Sequence, residues 1–188
     1  MLFAIISVSA PAADKPTAAE KKDLGIFIEN RGQSATGHYQ LIGMYRHQLT
    51  SSIGVYSFTE KVWSGSSWFE AYAGPTWKPA SWLQFGVAAG REMNPNGIRY
   101  AGMFSATVKK ADFFGVFENG ASGPYRYITA VYHLPKNFNI GMMDEATASG
   151  IGPRVEYAAR KNVTVWGATL YDRDTRKTNT TFAVDFSF

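Results

Sequence analysis

The sequence predicts an all-β protein, an antiparallel up-and-down transmembrane β-barrel of about 12 strands, with a range of 10–12. Three observations predict it. From Leu24 onward, short alternating segments are punctuated by turn signals about every 8–12 residues. The turns alternate between tight ones and longer, more polar ones, as in a wall with short turns at one rim and loops at the other. The final segment puts Phe182, Val184, Phe186 and Phe188 on one face and Thr181, Ala183, Asp185 and Ser187 on the other, because successive strand side chains point to opposite sides.

Composition agrees. The 188 residues suit one domain. Charged residues make up only 18% and aromatics a high 15%, and 18 glycines are present. Mean hydropathy is near zero at -0.19, which suits strands with one wet and one greasy face. Cysteine is absent, so a disulfide framework and any Cys-based metal site are excluded. The net charge of +4 comes partly from Lys15, Lys21 and Lys22, without a basic patch interleaved with aromatics, so no nucleic-acid partner is expected. No cofactor is expected either: there is no Walker loop, and Asp172-Arg173-Asp174 lacks the later ligands of a calcium loop.

Along the chain, residues 1–13 read as a truncated signal peptide. Leu2 to Val8 is apolar and Ala10-Pro11-Ala12-Ala13 supplies small residues for cleavage, but the basic n-region is missing. Residues 14–22 form a polar linker, and residues 23–188 the barrel. Tight turns are predicted at Gln48 to Ser51, Lys78 to Ser81, Lys109 to Asp112, Leu134 to Asn137 and Arg160 to Asn162. Longer connections are predicted at Asn30 to Gly37, Glu60 to Ser67, Arg91 to Gly97, Asn119 to Pro124, Glu145 to Gly150 and Asp172 to Asn179. An even strand count puts both termini at the short-turn rim. Tyr45, Trp77, Trp82, Phe113, Tyr132 and Phe138 are expected to form a belt there, and Trp63, Trp68, Tyr100, Tyr125 and Tyr127 a second belt near the loops.

The closing run Phe182-Ala183-Val184-Asp185-Phe186-Ser187-Phe188 resembles the C-terminal strand of bacterial outer-membrane β-barrel proteins. In that group an alternating aromatic strand ending in Phe is read by the barrel-assembly machinery. The resemblance implies export and assembly into the bacterial outer membrane. Its implied partners are outer-membrane lipid and the assembly machinery, the latter through Phe182, Val184, Phe186 and Phe188. The strand–turn pattern extends the likeness over about residues 24–188, and no motif assigns a subfamily. The connections are short beside those of large porins, which counts against a general porin.

Alternation also assigns faces. Leu83, Phe85, Val87 and Ala89 should meet lipid, as should Ile98, Tyr100, Phe104, Ala106 and Val108. Trp82, Gln84, Gly86 and Ala88 should face inward. A lipid-facing Arg or Lys at mid-bilayer costs about 2–4 kcal/mol, which drives charges into the lumen. The expected pore-lining set is therefore Glu70, Gln84, Arg99, Glu118, Arg126, Arg154, Glu156 and Asp185, with Tyr72, Ile128, Ala130 and Tyr132 sharing their inward faces. Many charges sit toward the loop ends of their strands, which suggests a charged vestibule there above a tighter waist.

Three functions fit this architecture. The inward charges favour a narrow or partly plugged channel for passive passage of ions or small solutes, porin-like in its transport. An outer-membrane lipid-modifying enzyme is the alternative, with His38 as a weak candidate base approached by Asp144, Glu145, Asp172 or Asp174; no spacing demonstrates catalysis. A structural or binding barrel without transport is the third. A soluble lipocalin-like barrel would need a polar exterior on the final strand. Solute and oligomeric state are not specified by the residues.

Overall fold

Period-two alternation rich in aromatic and β-branched residues builds strands, and no helix occurs among the described residues. The computed structural model describes residues 24–33, 39–63, 67–146 and 150–188. The segments assigned to signal and linker lie outside them. The strands are β1 (Leu24–Gln33), β2 (Tyr39–Gln48), β3 (Ile53–Trp63), β4 (Trp68–Ala80), β5 (Leu83–Met93), β6 (Gly97–Val108), β7 (Ala111–Gly120), β8 (Gly123–His133), β9 (Phe138–Ala146), β10 (Gly150–Arg160), β11 (Val163–Asp172) and β12 (Lys177–Ser187). Each strand pairs antiparallel with its sequence neighbour, and β1 pairs with β12 to close the barrel. Strand lengths run from 9 residues in β9 to 13 in β4, enough to cross a hydrocarbon layer at a tilt.

The strands are longer than the sequence pattern suggests. Glu60 and Lys61, Arg91 and Glu92, Asn119, and Glu145 all continue their ladders. The turn between β7 and β8 is therefore only Ala121 and Ser122, and that between β5 and β6 spans residues 94–96. Polar side chains do not end a strand whose main-chain bonds are still met by both neighbours. The start of β10 depends on Gly150, at φ 87°, where a side chain would press on the Tyr171 carbonyl.

The outer face is greasy. Ile53, Val55, Phe85, Ile98, Phe117, Ile140, Met142, Val155 and Val165 are all exposed. So are all six aromatics expected near the short turns. Phe182 of β12 and Phe188 just beyond it are 64% and 66% exposed, which contradicts a soluble lipocalin-like barrel. The second belt is a partial correction. Tyr100 is exposed and Trp63 is half-buried on the outer face beside exposed Tyr39, but Trp68, Tyr125 and Tyr127 point inward. The Tyr125 and Tyr127 hydroxyls bond to Glu145 and Arg154, and the Trp68 ring lies against the Arg99 guanidinium, so these three meet inner-wall charges rather than headgroups. Trp82 is also exposed, at the turn between β4 and β5, instead of facing inward.

Inside, two apolar clusters form. Met44, Tyr56, Phe58, Tyr72, Ala88, Ala101, Met103 and Val116 pack along β2 to β7. Met143, Trp166, Ala168, Leu170 and Ala183 pack along β9 to β12, with Tyr127 against them. Gly86 lies under the first cluster, and a Cβ there would meet Met103 Cγ at 2.8 Å and Tyr56 Cε1 at 2.9 Å. Its missing side chain is what lets Tyr56 lie along the wall.

Candidate functional site: the charged inner wall

Two networks of buried charge interrupt the apolar lining. The first is centred on Arg99 of β6. Its Nη1 donates to Glu92 of β5 at 2.9 Å and to Ser122 at 2.7 Å. Its Nε and Nη2 donate to Oε2 of Glu118 of β7 at 2.9 and 2.7 Å. Glu70 of β4 also ion-pairs with Arg99. One guanidinium thus meets three carboxylates from three strands, its side chain only 3% exposed. The Tyr72 hydroxyl donates to Glu118 at 2.6 Å, and Trp68 presents its ring 5.4 Å from the guanidinium. Glu92 accepts from both the backbone N–H and the hydroxyl of Ser122, at 2.9 and 2.6 Å, which ties the short β7–β8 turn to the wall. Glu60 of β3 is paired in register with Glu70, and Glu70 with Glu92.

The second network is centred on Arg154 of β10. Its Nε donates to Glu156 at 2.7 Å and its Nη1 to the Tyr127 hydroxyl at 2.9 Å. The guanidinium lies 3.7 Å from the centre of the Trp166 ring, whose N–H donates to Asp185 at 2.9 Å. Cation–π contact is strong when both partners are dry, as here. Asn139 links Glu156 to His133, which is bonded in turn to Asp112 at 2.6 Å. Buried charge is tolerable only when paired and hydrogen-bonded, and both networks meet that condition for their arginines.

Glu70, Gln84, Arg99, Glu118, Arg154, Glu156 and Asp185 all occupy inner-face positions. Arg126 does not, which is a correction. It pairs with outward Phe117, is exposed, and forms an ion pair with Asp144 at 2.9 Å. With it Ile128, Ala130 and Tyr132 turn outward, while Tyr125, Tyr127, Thr129 and Val131 turn inward. Both faces of β8 carry apolar and aromatic side chains, so alternation gave no clear sign. Arg126 lies three residues from the loop-end start of its strand, where a lipid-face charge costs only about 0–1 kcal/mol.

The position of the open space is also corrected. Among the described residues, loop-end inner side chains such as Glu70, Glu92, Arg99, Glu145 and Leu170 are buried. Gln84, Ser105, Asp112, His133 and Asn139, near the short turns, are half-buried. Long side chains at the loop end bond to one another across strands and fill the space. Sequence reasoning missed Tyr56, Glu92 and Trp166; it placed Tyr72 inward, as observed, but not its bond to Glu118. Extending the alternation of β5 by two more residues would have found Glu92. His38 lies outside the described residues.

The closed barrel fold has solved counterparts. The fold is similar to that of the porin KdgM. Its structure matches with a TM-score of 0.58 at 15% identity, covering 87% of this chain and 99% of that chain. The same porin in complex with disordered oligogalacturonate gives 0.59, at 15% identity and the same coverage. The NanC porin gives 0.55 at 10% identity, over 87% of this chain and 98% of that one. At these identities the likeness establishes the fold. No family model matches the chain, and no curated protein matches it at a significant level.

Proposed function

We propose that the protein is a bacterial outer-membrane barrel that acts as a narrow channel for passive passage of ions or small solutes. The observation that carries the reading is the division of the wall: apolar residues exposed outside, charged residues gathered inside. Ionised groups on the inner face would be wasted in a merely structural wall, since well-packed apolar residues are often at least as stabilising. The fold shared with two proteins described as porins supports it. Outer-membrane lipid would cover the apolar band. The barrel-assembly machinery would read the strand bearing Phe182, Val184, Phe186 and Phe188. Replacing Phe188 by Ser should then slow assembly into vesicles carrying that machinery; an unchanged rate would remove this part.

The direct test is electrical. Purified protein, shown to be folded by a mobility shift on boiling, is added to a planar bilayer. Discrete conductance steps are expected. Folded protein that inserts and gives no steps refutes the channel.

A further inference from the structure

We infer that the outer surface of β7 to β10, at its short-turn end, binds an anionic phospholipid, with an acyl chain in an apolar groove and the phosphate on basic turns. The inference rests on the outer-membrane reading above, not on conduction, and names the lipid that this part of the wall takes.

The groove comes from a short side chain among long ones. Phe113, Ala130 and Met142 lie side by side in register across β7, β8 and β9, and Ala111, Tyr132 and Ile140 form the next row toward the short turns. Ala130 sits between Phe113 and Met142, and the depression there, about 540 Å³, reaches Val155 of β10. The outward side chains lining it are apolar apart from the Tyr132 hydroxyl. It opens on the face that meets lipid. A hydrocarbon chain lying in it makes dispersion contacts that an unfilled depression forfeits.

An independent observation supplies the headgroup. The three short turns at this end of the groove carry Lys109, Lys110, Lys136, Arg160 and Lys161, all exposed. Main-chain bonds bring these turns together: the His133 N–H donates to the Lys110 carbonyl at 2.8 Å, and the Ala158 N–H to the Asn137 carbonyl at 2.9 Å. The turns themselves bear no carboxylate, and the nearby Asp112 faces inward and bonds to His133. None of the five cations is ion-paired among the described residues. Turn geometry does not call for them either. Lys109 and Lys136 stand at φ 56° and 65°, left-handed conformations that Gly or Asn adopts at less cost. The other two short turns, at 49–52 and 81–82, bear no cation. Long basic side chains at a membrane interface lay their stems on apolar surface and keep their charge at the headgroups. A soluble anion would gain nothing from the groove, and a zwitterionic lipid brings a cation of its own to the turns.

The test is native mass spectrometry of the folded full chain in detergent, titrated with phosphatidylglycerol or with phosphatidylcholine of the same acyl chains. Phosphatidylglycerol should be retained several-fold more. The triple variant Lys110→Gln, Lys136→Gln, Lys161→Gln changes only exposed turn residues and should fold as the parent does. Its preference should fall towards one, since each cation near an anionic surface contributes up to about fivefold. Ala130→Phe fills the groove and should lower retention of both lipids. Lys177→Gln, an exposed cation at the loop rim, should change neither. Equal retention of the two lipids by the parent overturns the inference, as does an unchanged preference in the folded triple variant or unchanged retention in Ala130→Phe. So does a loss in Lys177→Gln as large as in the triple variant, which would reduce the effect to net charge. Glycerol phosphate competing as well as the intact lipid also overturns it, because the site then takes a soluble anion. A chain that stays folded and monodisperse without detergent removes the membrane reading itself.

Discussion

Removing the guanidinium of Arg99 should destabilise the barrel more than any single substitution at its surface. In Arg99→Met the side chain keeps much of its length and loses its charge. Four hydrogen bonds, to Glu118 twice, Glu92 and Ser122, disappear together with the contact to Glu70. Charge-assisted bonds contribute about 1.5–3 kcal/mol each, but they share one group and do not add. The governing quantity is the cost of leaving buried carboxylates without their cation, about 3–5 kcal/mol when one partner of a buried pair is deleted. With three carboxylates stranded, the upper part of that range is expected. The assay is urea unfolding of barrel reconstituted in vesicles, followed by tryptophan fluorescence and by the boiling-dependent mobility shift. Arg99→Met combined with Glu118→Gln should recover part of the loss, since one stranded charge is gone and an amide oxygen still accepts from Tyr72. A loss below about 1 kcal/mol for the single variant, or no recovery in the double, would refute the assignment of Arg99 as the hub of the network.

Two further predictions follow from the faces and the close approach of strands. Val87, 63% exposed at the middle of β5, should cost about 2–4 kcal/mol when replaced by Lys, whereas Tyr171→Lys near the loop rim should cost about 0–1 kcal/mol; equal losses in vesicle unfolding would contradict the orientation of the wall. Gly90→Ala should impair folding, because the new Cβ would fall 2.0 Å from the Ala71 carbonyl, while Gly102→Ala meets nothing within 4 Å and should stay within about 0.5 kcal/mol; similar folded yields of the two on boiling-shift gels would count against this packing.

Much of this fold can be read from alternation and turn residues. Twelve strands, five tight turns and the greasy face of β12 follow from side chains that must alternate along a two-sided wall. Faces are legible wherever one parity bears charge and the other does not, as in β6 around Arg99. They are illegible in β8, where Tyr, Ile, Ala and Val occupy both parities and Arg126 sits too near the rim to be penalised. Strand ends are also hidden. Arg91 and Glu92 resemble a loop, yet their ladders continue, because pairing depends on neighbours that are distant in sequence. The clusters are the least legible feature. Arg99 gathers Glu70, Glu92 and Glu118 only because register brings four strands to the same height, and nothing local to any one of them records it. Tyr72 reads as an inward aromatic, but that its hydroxyl reaches across to β7 is a fact of three dimensions.

The seam between β1 and β12 has a kinetic consequence. Phe27 to Gln33 pair with Ser187 to Thr181, partners about 150 residues or more apart, and the seam is continued where Ile26 and Phe188 exchange main-chain bonds. Every other ladder joins strands adjacent in the chain, so eleven hairpin contacts are local and one is as non-local as the topology permits. Until that last pairing forms, two open edges present unsatisfied amides and carbonyls that could zip onto another molecule. Long loop closure is slow, and contact order sets folding speed. The rate of sealing, rather than the formation of individual hairpins, should therefore govern how long the nascent sheet is vulnerable to aggregation, and substitutions in β1 or β12 should change yield more than equally destabilising ones in β6.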